Sequence, residues 1–311
     1  MDPLLAAACG VSGFLVLVTG LGVALHRSKR SPGFERWCSL GLPFIASALA
    51  AFGMQHLLGA QLLVEIVPPW MPWRLFWVYF VGLALFAAAL SFSLHRAIRF
   101  SAPLLALLFL LLALLTDLPA AIAEPRQWIG WSMLLRELSY AAGALAVAVV
   151  ARPTRKSVRS NHLFAVARWT ITLAIFYFSF EQLAFPQLSP GVPDLLPIPS
   201  WVLVPRLLTR LSGLVLTSAG VMLVFRRHAA YGATLAGARM LLLTVGIYVP
   251  LMCIKLGTAK AIEGVDFAFD TLLFAGTALA LGTAAVETHA GEAQDAGSDM
   301  HQDAEGQPDQ H

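Results

Sequence analysis

Runs of about twenty apolar residues follow one another along this chain with connections of roughly ten residues between them, and about twenty is what one helix needs to cross the hydrocarbon of a bilayer. The runs lie near 4–24, 38–58, 75–94, 101–123, 129–151, 163–185, 201–225, 231–254 and 266–288, which predicts nine spans. With 58% of 311 residues hydrophobic and only 13% charged, no single aqueous core could bury the apolar surface, so lipid must act as solvent. The expected fold is an all-α polytopic membrane protein with no sizeable soluble domain.

Charge placement predicts an orientation. Arg27, Lys29, Arg30 and Arg36 fall in one connection, Arg96 and Arg99 in the next but one, then Arg152, Arg155, Lys156 and Arg159, then Arg226 and Arg227. Intervening connections hold only Arg74, Arg126 and Lys260, with Lys255 at a helix end. By the positive-inside rule the first set faces the cytoplasm, the N-terminus lies outside and the C-terminus inside, and the expected location is a bacterial inner membrane. Basic residues confined to loops are a topology signal, not a nucleic-acid interface. Cys9, Cys38 and Cys253 are isolated, which excludes a dithiol pair or a thiolate metal cluster.

Gly82 laid on Gly213 gives 38 residues of gapless register, with Arg96 on Arg227 and Pro119 on Pro250. With small insertions it extends to Glu137 and Gly143 against Asp270 and Gly276, and backward to FGMQHL (52–57) opposite FSFEQL (178–183). Such spacing argues for duplication. The expected organisation is an N-terminal helix and loop (1–37), a four-helix repeat (38–151), a basic linker (152–162), a parallel second repeat (163–288) and a disordered acidic tail (289–311). The tail's His289, His301 and His311 lack metal-ligand spacing, so no metal is expected.

Polar and ionisable side chains within spans need a partner or a water-filled space. They are Asp117, Arg136, Glu137 and Tyr140 in the first repeat, and Tyr177, Glu181, Gln182, Arg206, Arg210, Tyr248, Asp266 and Asp270 in the second; Gln55 and His56 close the second span. Arg206, Arg210, Gly213, Thr217 and Gly220 share a helical stripe expected to face inward, as do Thr170, Ala174, Tyr177 and Glu181, and in part Asp266, Asp270, Leu273 and Thr277. Glu181 and Asp270 are then the expected counter-ions of Arg206 and Arg210, while Arg239 falls in the inner half, away from the others. Two readings stay open: structural ion pairs, or an outward cavity for a polar head on an apolar body, such as a quinone or lipid. Gln55, His56, Asp117, Glu137, Glu181, Gln182, Arg206, Arg210 and Asp270 are the candidate ligand-binding residues. Haem is not expected, because His56 has no second intramembrane histidine to pair with.

The proline-rich connections IVPPWMPW and FPQLSPGVPDLLPIPSW cannot continue a helix. Trp70, Trp73, Trp77 and Trp201 suit an interfacial aromatic belt. The alternative is a cap over the outer cavity, built from Pro68, Pro69, Trp70, Pro72, Trp73 and Trp201.

Taken together, a helix ending in GxxH, the loop IVPPWMP, VY just ahead of Gly82 and a later proline-containing turn resemble the DoxX-like membrane proteins over about residues 43–150. The matching residues are Gly53, His56, Pro68, Pro69, Trp70, Pro72 and Gly82; the acidic residue common three positions after that glycine is Leu85 here, and Leu216 in the second copy. The resemblance implies a four-helix bundle and a non-catalytic membrane subunit of a redox system, since some relatives belong to a thiosulfate:quinone oxidoreductase or partner membrane redox enzymes. Quinone, lipid and a redox protein are the implied partners. A transporter or flippase of a lipid-like solute, and a ligand-free scaffold, are the competing expectations.

Overall fold

The computed structural model describes residues 3–29, 33–152, 158–192 and 196–305. The chain is all-α, and nine helical segments among the described residues are long and apolar enough to cross a membrane, in the register the apolar runs predict.

Helix α1 (Pro3–Arg27) precedes α2 (Gly33–Ser39) and α3 (Gly41–Leu58), which together make the second span; α4 (Ala60–Leu63) is a single turn and α5 (Arg74–Ser93) the third span. The fourth joins α6 (Ile98–Leu112) through a π-helical turn, Ala113–Asp117, to α7 (Leu118–Ala123). Then come α8 (Trp128–Val150), α9 (Val158–Ala184) and α10 (Pro205–Val224). The eighth span joins α11 (Ala229–Leu243) through a second π-helical turn, Thr244–Tyr248, to α12 (Val249–Lys255), and α13 (Ala261–Glu305) carries the ninth. In each π turn a proline follows within two residues, Pro119 and Pro250. Its ring has no N–H to offer the preceding turn, and the backbone absorbs the mismatch by widening one turn.

Helix bounds recur at fixed offsets. Adding 131 to α5, α6 and the first π turn gives α10, α11 and the second π turn, and adding 133 to the start of α8 gives the start of α13. Packing does not follow two separate bundles. In the expected units the first and last helices of a repeat would close on each other; instead α8 packs on α9 and α13 packs on α3, and α8 and α13 cross each other at the centre. The reason is visible in the small residues: a Cβ on Gly41 or Gly276 would lie within 2.8 Å of the other helix's backbone, so only glycine allows α3 and α13 to approach this closely. Gly143 of α8 likewise leaves room for the Thr277 side chain of α13, which a Cβ would meet at 2.6 Å. Helix α1 lies outside this ring, against α3.

The polypeptide continues as helix through Glu305, where the sequence predicts disorder from 289. An established helix elongates at little cost per residue, and no proline intervenes before 308. Residues 306–311 of that tail, with His311, lie outside the described residues, as do Arg30 and, in the basic linker, Arg155 and Lys156.

Candidate functional site

The α8–α13 crossing carries the densest polar group in the apolar interior. Arg136 Nη1 donates to Asp270 Oδ2 at 2.9 Å, with the two side chains 18% and 14% exposed. Tyr140, one turn below Arg136, donates its hydroxyl to Asp270 Oδ1 at 3.1 Å and lies 5.6 Å from the Phe109 ring. Glu137 and Asp117 act on the same guanidinium. Asp117 comes from the π turn, where Thr116 Oγ1 donates to its Oδ1 at 3.4 Å. Asp266, one turn before Asp270, faces the Gln55 amide of α3 and sits beside Cys9 of α1.

Four carboxyls, Asp117, Glu137, Asp266 and Asp270, therefore surround one arginine. Asp117 Oδ2, Glu137 Oε2, Asp266 Oδ1 and Arg136 Nε are buried atoms that make no hydrogen bond to the described residues. Four full negative charges against one positive charge cannot persist in a low-dielectric interior, so the group must take up positive charge, and protons are the simplest source.

A second polar group lies alongside. Ser132, one turn above Arg136, donates to Glu181 Oε2 at 3.2 Å. Arg239 Nη2 donates to Gln182 Oε1 at 2.5 Å, its Nε to Ser212 Oγ at 2.8 Å and its Nη1 to Met240 Sδ at 2.9 Å. Arg239 is thus not set apart in the inner half: the inward face of α11 meets α10 and the end of α9 at this level. Elsewhere Arg168 Nη1 donates to the Leu223 and Val224 carbonyls at 2.5 and 2.8 Å, capping the end of α10.

Of the candidates read from sequence, Gln55, Asp117, Glu137 and Asp270 come together, and Glu181 and Gln182 join the neighbouring group. His56 does not: its Nδ1 shares a hydrogen with the Phe52 carbonyl at 2.8 Å, and its Cβ packs on Gly82. Arg206 and Arg210 are exposed and are not the partners of Glu181 and Asp270. The buried stripe of α10 is centred on Thr209, Leu216 and Leu223. At about 100° per residue the arginines lie about 60° and 100° round from Thr209, which puts them on the flank of the helix. The inward stripe of α9, by contrast, includes Ala174 and Glu181 as expected.

The loop IVPPWMPW is no cap. Trp70 and Trp73 are 68% and 79% exposed. The loop is held on its own side by Arg74, which donates to the Val67 carbonyl at 2.9 Å and the Val64 carbonyl at 2.5 Å, and by Trp77, which donates to Pro72 O at 3.0 Å. Trp201 is 43% exposed. The segment that does tuck in is Ser189–Val192 of the second connection, where Tyr248 donates to the Pro190 carbonyl at 3.2 Å and Thr209 to the Leu188 carbonyl at 3.0 Å. Missed in the sequence were the roles of Arg136, Tyr140 and Asp266; the signal was there, since each lies four residues from another polar member on its helix.

Among the described residues, no group of three or more His, Cys, Asp or Glu has the geometry of a metal site. Comparison with protein-family models, with curated proteins and with solved structures finds no match to this chain.

Proposed function

We propose that this chain is a proton-coupled membrane carrier of two like halves, with the carboxyl group around Arg136 as its proton-binding centre. The observation that carries this is the excess of Asp117, Glu137, Asp266 and Asp270 over one arginine at the crossing of α8 and α13. Parallel repeats with a charged site at their interface are a recurring carrier design, and the equal offsets of α5, α6 and the π turns support the duplication. In this reading the end rich in arginine faces the cytoplasm of a bacterial cell.

A test uses reconstituted protein on a solid-supported membrane. An acid step elicits a transient charging current in the wild type, and Glu137→Gln with Asp266→Asn abolishes it without unpairing Arg136. A wild type that gives no current sinks the proposal.

A quinone or lipid ligand in a redox complex is the second reading. It is favoured by an apolar cleft of about 430 Å³ between α1, α3 and α4, lined by Leu4, Leu5, Ala8, Leu58, Gly59, Gln61 and Leu62, one turn from Gln55. The DoxX-like resemblance enters here as a proposal: its residues Gly53, His56 and Gly82 form a close helix contact, a Cβ on Gly82 falling 2.7 Å from that of His56. That contact accounts for these residues by packing.

A further inference from the structure

We propose that Arg206 and Arg210 form a surface site for the phosphodiester head of an anionic glycerophospholipid. The arginines inside the bundle have protein partners: Arg136 has Asp270, Arg168 has the Leu223 and Val224 carbonyls, and Arg239 has Gln182 and Ser212. Arg206 and Arg210 are exposed on a spanning helix, and no acid or hydrogen-bond acceptor among the described residues meets either one. Both guanidiniums lie one turn apart on the same flank, where like charges repel unless an anion lies between them. Arg210 is about 8 Å along the axis from the start of α10 at a rise of 1.5 Å per residue, which is the depth of the glycerol and phosphate layer for a helix that starts at the membrane surface.

The surroundings select the source of the anion. Leu207, Leu211 and Leu214 are each at least half exposed, and Val221 continues the flank at 47%. A free anion would have nothing to do with such a surface, whereas a lipid can set its phosphate between the guanidiniums and lay an acyl chain along Leu214 and Val221. Arginine suits this role because its planar fork can hold two phosphate oxygens at once.

The experiment measures the melting temperature of the purified full chain in neutral detergent, with added phosphatidylglycerol, phosphatidylcholine of the same chains, or inorganic phosphate. Phosphatidylglycerol is expected to raise it by several degrees over phosphatidylcholine, and phosphate to leave it unchanged. Arg206→Gln with Arg210→Gln loses most of that difference, while the paired change to lysine keeps part of it. Arginines at the opposite end add a background common to all variants, so the readout is wild type against variant. An equal shift in the glutamine variant, no shift in the wild type, or a shift reproduced by phosphate alone overturns the proposal. The altered side chains are exposed, so folding is preserved and the lysine pair controls for it.

Discussion

Asp270 holds Arg136 at 2.9 Å and takes a second hydrogen bond from Tyr140. The isosteric change Asp270→Asn takes away the carboxylate that is hydrogen-bonded to the guanidinium, and loss of one partner of such a pair costs about 3–5 kcal/mol. Replacing both partners, as in Arg136→Met with Asp270→Leu, removes the orphaned charge and should recover most of that loss. Melting of the two purified variants checks it: a double variant no more stable than Asp270→Asn would show that the pair is not the source of the cost. The sequence displays Arg136 and Asp270 as residue types that hydrocarbon tolerates poorly, yet points to Arg206 and Arg210, not Arg136, as the arginines that Glu181 and Asp270 would neutralise. Partner choice depends on which faces of α8 and α13 cross, and the close contact of Gly143 with Thr277 lies at that crossing. A pairing between residues 134 positions apart leaves no local trace.

Each π turn is the place where a span changes face. The first sets Asp117 toward Arg136 and hands the chain to α7, which rests on α8 through Ala121 and Gly130. A Cβ on Gly130 would lie 3.5 Å from that of Ala121, within the separation of about 3.5–4.5 Å that a disulfide needs. In a background without Cys9, Cys38 and Cys253, Ala121→Cys with Gly130→Cys should therefore cross-link on mild oxidation. Adding Pro119→Ala restores a backbone donor, lets the widened turn relax to regular helix and rotates α7 by about 100°, so the cross-link should fail to form. Gel mobility with and without reductant reads both; an undiminished cross-link in the triple variant would mean that the proline does not set the turn. Span positions were legible because apolar run length is a direct readout of bilayer thickness. Widened turns were not, since Pro119 and Pro250 announce a disturbance without saying whether the helix kinks, stops or widens.

At the scale of the whole molecule the two halves are not self-contained. Sequence offsets suggest two bundles joined by a basic linker, but α8 finds its neighbour in α9 and α13 finds its neighbour in α3, so each half leaves the faces of its outer helices unclosed. Helix association in lipid rests on close contact between small residues, and in this chain two such contacts, Gly41 with Gly276 and Gly143 with Thr277, run between halves. The carboxyl group is divided as well: Asp117, Arg136, Glu137 and Tyr140 come from the first half, Asp266 and Asp270 from the second. Cutting the chain in the linker should be harmless when both pieces are present and ruinous when one is missing. Fragments 1–152 and 158–311, expressed together with a tag on only one, should co-purify and melt as a single unit, because the contacts of Gly41 with Gly276 and of Arg136 with Asp270 hold the two pieces together. Either fragment alone breaks the Arg136–Asp270 pair and opens the glycine contacts between halves, and should be degraded or aggregate in detergent. A first fragment that folds alone and remains monomeric would show that the halves are independent bundles, and the shared site at their crossing would lose its physical basis.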